Sequence, residues 1–290
     1  MFSRLVVFFV LALCLCSTLT LRAADSSFVV ATLKVMPVTG DKAANYALFE
    51  KLARRAAGAG ADFIVTPEGY LDGYLGSPKI APGITHEKLL ASADPIDGPW
   101  LKKVAALAKE LKVHLLFGFT ERSEDKAYNT VALFAPDGTL AGRYSKTHTV
   151  PGGEIYDPGH ELKVFDTKLG KMGVLICFDR QPPENARTLA LRGAQFIVVP
   201  AYGKTSNFMD EDILMRARAQ ENGVYIVYTS PRNAFVVDPY GEMVSQMRSD
   251  TDELLFARLI LDGRIGDRSA IKVRHPELYG RLVQPAGKSN

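Results

Sequence analysis

The sequence predicts a single α/β domain of mixed sheets, with two packed sheets and helices outside them as the arrangement that suits its strand number. Three observations carry this. FIVT (63–66), VLIC (174–177), FIVVP (196–200) and VYIVYT (224–229) are apolar throughout and alternate with helix-period segments, as strands covered on both faces do. The turn sequences Pro136-Asp137-Gly138 and Asp238-Pro239-Tyr240-Gly241 sit between further β-rich runs and predict hairpins. No linker-like stretch divides the chain.

The elements follow in order. Phe28 to Val35 is rich in β-branched residues and forms the first strand. Residues 41–58 place apolar side chains at helical spacing and end at glycines 58 and 60. Ala61 to Thr66 is a short buried strand stopped by Pro67. Residues 70–97, rich in Gly and Pro, are expected to be irregular and to lie over one end of the sheet. Pro99 suits the first position of a helix running to Leu111. Val113–Phe119, Tyr128–Phe134 and Leu140–Tyr144 are strands, then Leu162–Asp166 and Met172–Cys177. A helix over about 183–192 precedes the strand 195–199, and a helix over 209–221 closes near Asn222-Gly223. Strands at 224–229, 234–237, 242–247 and 254–259 complete the domain, and a tail from about residue 262 has little periodicity.

Arg4 precedes an unbroken apolar run from Leu5 to Cys16, and Ala23-Ala24 offer a cleavage point before Asp25. Residues 1–24 therefore read as a secretory leader, residues 25–290 as the mature domain, and the protein is expected in a periplasm or outside the cell. The apolar core is short for a membrane span, and no later segment reaches span length free of charge. Cys14 and Cys16 would leave with the leader, so the fold needs no disulfide and Cys177 is left alone. An unpaired thiol in an oxidising compartment is a liability unless it is buried or used.

Hydrophobic content of 47% suffices for a substantial core. The formal charge of +3 is partly due to Arg4 and Arg22 in the leader, and no basic block suggests a nucleic-acid surface. The histidines at 86, 114, 148, 160 and 275 are scattered, which argues against a metal site, and no G-x-S-x-G elbow is present.

Chemistry-capable residues stand at the ends of buried strands: Glu68 in VTPEGY, Lys146 in RYSKTHT and Cys177 in GVLICFDRQPPE. Ligands of open α/β sheets gather at such ends. Together the three make a covalent hydrolase set. The thiol attacks a carbonyl or nitrile carbon, the carboxylate takes its proton and later activates water, and the ammonium stabilises the oxyanion. The backbone N–H of Phe178 is a candidate second oxyanion donor.

These three boxes, in this order and separation, resemble those of the nitrilase-like carbon–nitrogen hydrolases. The resemblance continues through ARTLALRGAQFIVVPA, RARAQENGVYIVYTS and VVDPYGE. It implies a four-layer αββα sandwich with two mixed β-sheets and a homodimer or larger homo-oligomer. It also implies that Glu68 is the general base, Lys146 the oxyanion stabiliser and Cys177 the nucleophile. Glu154, in HTVPGGEIYDPG, matches the second glutamate that many relatives carry; a plain loop glutamate is the alternative. The resemblance places Tyr202 and Asn207 near the substrate. His148 is a candidate pocket residue beside Lys146, and Tyr70 and Tyr74 either wall the pocket or pack in the core. Asp179 and Arg180 are expected to pair across the turn after the thiol.

The chain departs from the family pattern at Thr147-His148-Thr149, where many relatives place histidine and leucine after the lysine. Phe178-Asp179-Arg180 replaces the tryptophan and glutamate usual after a nitrilase cysteine. Hydrolysis of a small amide or N-carbamoyl compound is therefore expected ahead of nitrile hydrolysis. No cofactor is implied, and water is the only co-substrate. A silent scaffold of the same fold would show a broken triad, and here no member is missing.

Overall fold

The computed structural model describes residues 27–202, 213–248, 251, 253–262, 266 and 268–284. The expected leader and Asn207 lie outside these residues. The first half runs β1 (Ser27–Lys34), α1 (Lys42–Gly58), β2 (Phe63–Val65), α2 (His86–Ser92), α3 (Pro99–Leu111), β3 (His114–Ser123), β4 (Lys126–Phe134) and β5 (Leu140–Ser145). The second half runs β6 (Val164–Thr167), β7 (Gly170–Val174), α4 (Pro183–Leu191), β8 (Phe196–Pro200), α5 (Arg216–Asn222), β9 (Tyr225–Thr229), β10 (Asn233–Val237) and β11 (Met243–Arg248). β12 (Glu253–Ile260) returns to the first sheet, and α6 (Ser269–Lys272) follows it.

Two six-stranded mixed sheets result, ordered β12-β1-β2-β3-β4-β5 and β11-β10-β9-β8-β7-β6. In the first, β1, β2 and β3 are parallel and the other pairings antiparallel. In the second, β7, β8 and β9 are parallel and the rest antiparallel.

Side-chain alternation fixes the layers. Val30, Phe63, Val65 and Leu116 join a core shared with the second sheet, while Ala31, Leu33, Ile64, Leu115 and Phe117 pack under α1 and α3. Ala186, Leu189 and Ala219 of α4 and α5 cover the second sheet. The order of layers is helix, sheet, sheet, helix, as expected. Both faces of each central strand are dry, which is why those strands read as continuous apolar runs.

Three details differ from the sequence expectation. Residues 86–92, expected to be irregular, form α2; Thr85 Oγ1 accepts from Lys88 N at 3.3 Å, and Leu89 is fully buried beneath it. Strand β7 ends at Val174, and Cys177 instead opens a 3₁₀ turn through Arg180. Leu175 N still donates to Val198 O at 3.0 Å, so the chain leaves the sheet only just before the thiol. The helix expected over 209–221 is met where it is described, by a π turn over 213–215 leading into α5, closed as expected by Gly223 at φ +58°. In the tail, α6 and two 3₁₀ turns leave Val273, Leu278, Leu282 and Val283 exposed. No helix among the described residues is long and apolar enough to cross a membrane.

Candidate active site

The loop after β2 passes across β3 at Gly118. A Cβ at this position would lie 2.5 Å from the Pro67 carbonyl oxygen, so only glycine admits the crossing. Thr66 Oγ1 accepts from Gly118 N at 2.9 Å and fixes the approach. Glu68, the next residue but one, is fully buried. Its Oε1 accepts from Asn129 Nδ2 at 2.7 Å and Lys146 Nζ at 2.9 Å, and its Oε2 from the backbone N–H of Tyr202 at 2.8 Å. The first two donors belong to the first sheet, and Tyr202 follows β8 of the second.

Lys146 follows β5, held by its N–H to Asn129 O at 2.8 Å and by Gly159 N–H to its own carbonyl at 2.7 Å. Its Nζ lies 2.6 Å from Glu154 Oε1 and 5.9 Å from the centre of the Tyr74 ring. Burial favours the neutral amine, but the charges of Glu68, Cys177 and Glu154 outweigh it and raise the lysine pKa. Lys146 is therefore an ammonium at any working pH.

Glu154 lies in the loop between β5 and β6. Its Oε1 also accepts from the Tyr74 hydroxyl. Its Oε2 is buried and has no hydrogen-bond partner among the described residues. Burial and the Glu68 charge raise the carboxyl pKa against the pull of Lys146. Ile155 N–H to Gly76 O at 2.9 Å and Asp157 N–H to Ala127 O at 2.9 Å pin the loop on either side.

Cys177 is 8% exposed and has φ +48°, a left-handed conformation rare for a residue with a Cβ. Burial and Glu68 push its thiol up to about 11, while Lys146 and Arg180 pull it down. Asp179 anchors the turn. Its Oδ2 accepts from Ile176 N at 3.0 Å and Tyr144 Oη at 2.7 Å; its Oδ1 accepts from Thr147 Oγ1 at 2.9 Å and His148 N at 2.7 Å. One buried carboxylate thus joins the cysteine turn to the residues after Lys146.

The structure gathers Glu68, Lys146, Glu154 and Tyr202 directly, and Cys177 within reach of their charges. Phe178, half-buried, stands in the first turn after the thiol. Tyr70 is a correction: it does not wall the pocket. Gly69, at φ +55°, turns the chain back so that Tyr70 packs against Phe49 and Phe117 and donates from its hydroxyl to Asn45 O at 3.0 Å. Tyr74 takes the pocket position, stacked on Tyr202 with ring centres 4.7 Å apart. His148 Nδ1 faces Thr147 Oγ1, Asp179 Oδ1 and Asn185 Nδ2, so its contacts are with the cysteine turn. Asp179 raises its pKa. Arg180 does not pair with the Asp179 carboxylate as expected; its Nη1 points to Cys177 Sγ at 3.6 Å.

Sequence reading missed Asn129 altogether. The signal was an asparagine inside a β-rich run, where that residue type is depleted. Among the described residues no group of three or more His, Cys, Asp or Glu side chains is arranged to hold a metal ion.

A helix-covered double sheet with a buried carboxylate, ammonium and thiol at its strand ends is the architecture of a thiol hydrolase. The chain belongs to the carbon–nitrogen hydrolase family, whose pattern matches residues 29–265. At the level of that family, the activity is thiol-dependent hydrolysis of carbon–nitrogen bonds. The omega-amidase NIT2-A of Xenopus laevis is 32% identical over 247 residues, covering 77% of this chain and 86% of the relative. The human omega-amidase NIT2 is 32% identical over 225 residues, covering 70% and 77%. Among solved structures, an amidase from Nesterenkonia sp. superposes with a TM-score of 0.75 at 23% identity, over 88% of this chain and 96% of that one. This last likeness concerns the fold.

Proposed function

We propose that the protein hydrolyses a small amide or N-carbamoyl compound through a thioester on Cys177. The observation that carries this reading is the buried Glu68–Lys146–Glu154 cluster, with the Glu154 Oε2 left without a partner among the described residues. A buried acceptor without a donor is costly, and the N–H of a bound amide is the donor it suits. Glu68 takes the thiol proton, and Sγ attacks the carbonyl carbon. The oxyanion forms against Lys146 Nζ and the Phe178 N–H. Glu68 returns the proton to the leaving nitrogen, ammonia or an amine departs, and a thioester remains. Water deprotonated by Glu68 then attacks the thioester, releasing the acid and restoring the thiol.

Phe178-Asp179-Arg180 supports amide chemistry over nitrile chemistry, as does likeness to relatives named omega-amidases. The test is ammonia release from a panel of amides, ureido acids and nitriles. Amides or ureido acids are expected to turn over fastest, and Cys177→Ala to lower their rate by about 10⁴-fold or more. Unchanged release from the Cys177→Ala protein overturns the thiol mechanism.

The apolar run after Arg4 supports export, giving a role in scavenging external amides. Mass spectrometry of the mature N-terminus checks this, and an intact Met1 refutes it. The exposed Val273, Leu278, Leu282 and Val283 support a homodimer, to be read by light scattering.

A further inference from the structure

Asn129 stands inside β4, paired with Thr120 of β3 and 1% exposed. It touches both members of the Glu68–Lys146 pair. Its main-chain carbonyl accepts from Lys146 N at 2.8 Å, and its side-chain Nδ2 donates to Glu68 Oε1 at 2.7 Å. Burying an amide costs free energy unless it is hydrogen-bonded. Here the donor end is bonded, while Oδ1 is buried with no hydrogen-bond partner among the described residues. The amide is seated to serve the carboxylate rather than its own oxygen.

The donors around Glu68 are unequally shared. Each oxygen of an ionised carboxylate offers about two lone-pair sites. Oε1 accepts from Asn129 Nδ2 and from Lys146 Nζ at 2.9 Å, which takes both. Oε2 accepts from the Tyr202 N–H at 2.8 Å, which among the described residues leaves one site open. We infer that Asn129 is a positioning residue: with Lys146 it fills Glu68 Oε1, and so commits the proton of the Cys177 thiol to Oε2. The inference rests on the proposed roles of Glu68 as base and Cys177 as nucleophile. In the step concerned the S–H bond breaks and an O–H bond forms at Oε2. Thiolate and carboxylic acid replace thiol and carboxylate, and the total charge is unchanged.

The titratable groups around Glu68 come from several elements. They are Lys146 after β5, Glu154 and Tyr156 in the loop that follows it, Tyr74 after β2, Tyr202 after β8, and Cys177 after β7 with Arg180 against its sulfur. None belongs to β4. The bond from Lys146 N to the Asn129 carbonyl is main-chain and survives a change of side chain. A moved titration in an Asn129 variant therefore reports the lost donor.

The test is the pH dependence of kcat/KM for ammonia release by Asn129→Leu, which removes the donor at similar volume. The acid limb of that profile belongs to the whole cluster of interacting groups. It is expected to move up by about one pH unit, because losing a donor disfavours the charged form of a carboxylate. On the plateau kcat should fall about tenfold with KM little changed. Beside Glu68→Gln the same change should cost no more than about twofold, because Asn129 acts through that carboxylate. An unmoved acid limb in Asn129→Leu overturns the inference, and so does a tenfold loss that persists beside Glu68→Gln. If Asn129→Leu does not fold, Asn129→Ala decides by the same two readings. Two controls separate this failure from failure of the proposed mechanism. Ammonia release surviving Cys177→Ala sinks the thiol, and a loss below about tenfold in Glu68→Gln sinks the base. Large losses in both, with an unmoved acid limb in Asn129→Leu, sink only the role of Asn129.

Discussion

The first sheet places three parallel strands, β1, β2 and β3, beside two antiparallel ones, with β12 antiparallel on the other flank. The second repeats the plan with β7, β8 and β9, followed by β10 and β11 and flanked by β6. Equivalent strands end differently. The loop after β2 delivers a carboxylate, Glu68; the loop after β8 delivers the Tyr202 N–H that grips it. The chain beyond β1 delivers none of Glu68, Lys146 and Cys177, whereas the chain beyond β7 turns sharply to present Cys177. One sheet holds the buried carboxylate and the ammonium, the other the thiol. The site exists only where the two meet, and the bonds across that seam, Tyr202 to Glu68 and Asp179 to Tyr144, Thr147 and His148, set its geometry.

Removing one sheet's contribution should cost most. Glu68→Gln leaves the second sheet untouched and is expected to lower kcat by about 10²–10⁴-fold, the usual weight of a general base; steady-state ammonia release reads it. A loss below tenfold would mean that the base lies elsewhere. Cutting the seam should come next. Asp179→Asn keeps the shape but removes the charge that binds Ile176, Tyr144, Thr147 and His148. Charge-assisted hydrogen bonds count for about 1.5–3 kcal/mol each, so urea unfolding should show a loss of about that size. Activity should fall further than stability explains, by about 10²-fold, because the thiol and the ammonium lose their common anchor.

A perturbation within the first sheet should cost less. Tyr74→Phe leaves Glu154 Oε1 to Lys146 alone and is expected to lower kcat/KM about tenfold, near the worth of one hydrogen bond. The smallest effect should come from His148→Gln at the seam's edge. Asp179 raises the imidazole pKa, so its contribution to stability is complete below the ordinary imidazole range and fades as pH rises through the raised value. The side chain is 40% exposed, so solvent screening keeps the contribution below about 1 kcal/mol. The melting-temperature gap from wild type should be widest below the ordinary imidazole range and narrow as the pH rises above it; a gap that widens with pH contradicts this.

The sandwich was legible because its central strands are dry on both faces, and such strands announce themselves as apolar runs. Helix α2 was not: seven residues are too few for a periodic signal, and its cap is an ordinary Thr85 among turn formers. Glu68, Lys146 and Cys177 were legible as residue types at strand ends. The aromatic neighbour was not, since nearness in sequence favoured Tyr70. Two reversals, Gly69 at φ +55° and Gly73 at φ +73°, decide that Tyr74 faces the site instead. Asn129 was hidden for another reason. Its contact with a residue sixty-one positions away depends on the register of β3 against β4, which pairs it with Thr120. Local sequence carries no record of register over that distance.

Gly118 lies in mid-strand beneath the Pro67 carbonyl and touches no reacting group. Even so, a single methyl there would lift the backbone that carries Glu68. A library that randomised this enzyme for new substrates would score position 118 as intolerant and tempt its readers to call it a determinant of selectivity. Its rigidity belongs to the delivery of Glu68, the proposed base, which every substrate would share. Variation in what the enzyme accepts must arise at positions whose side chains border the cleft without supporting the crossing below it.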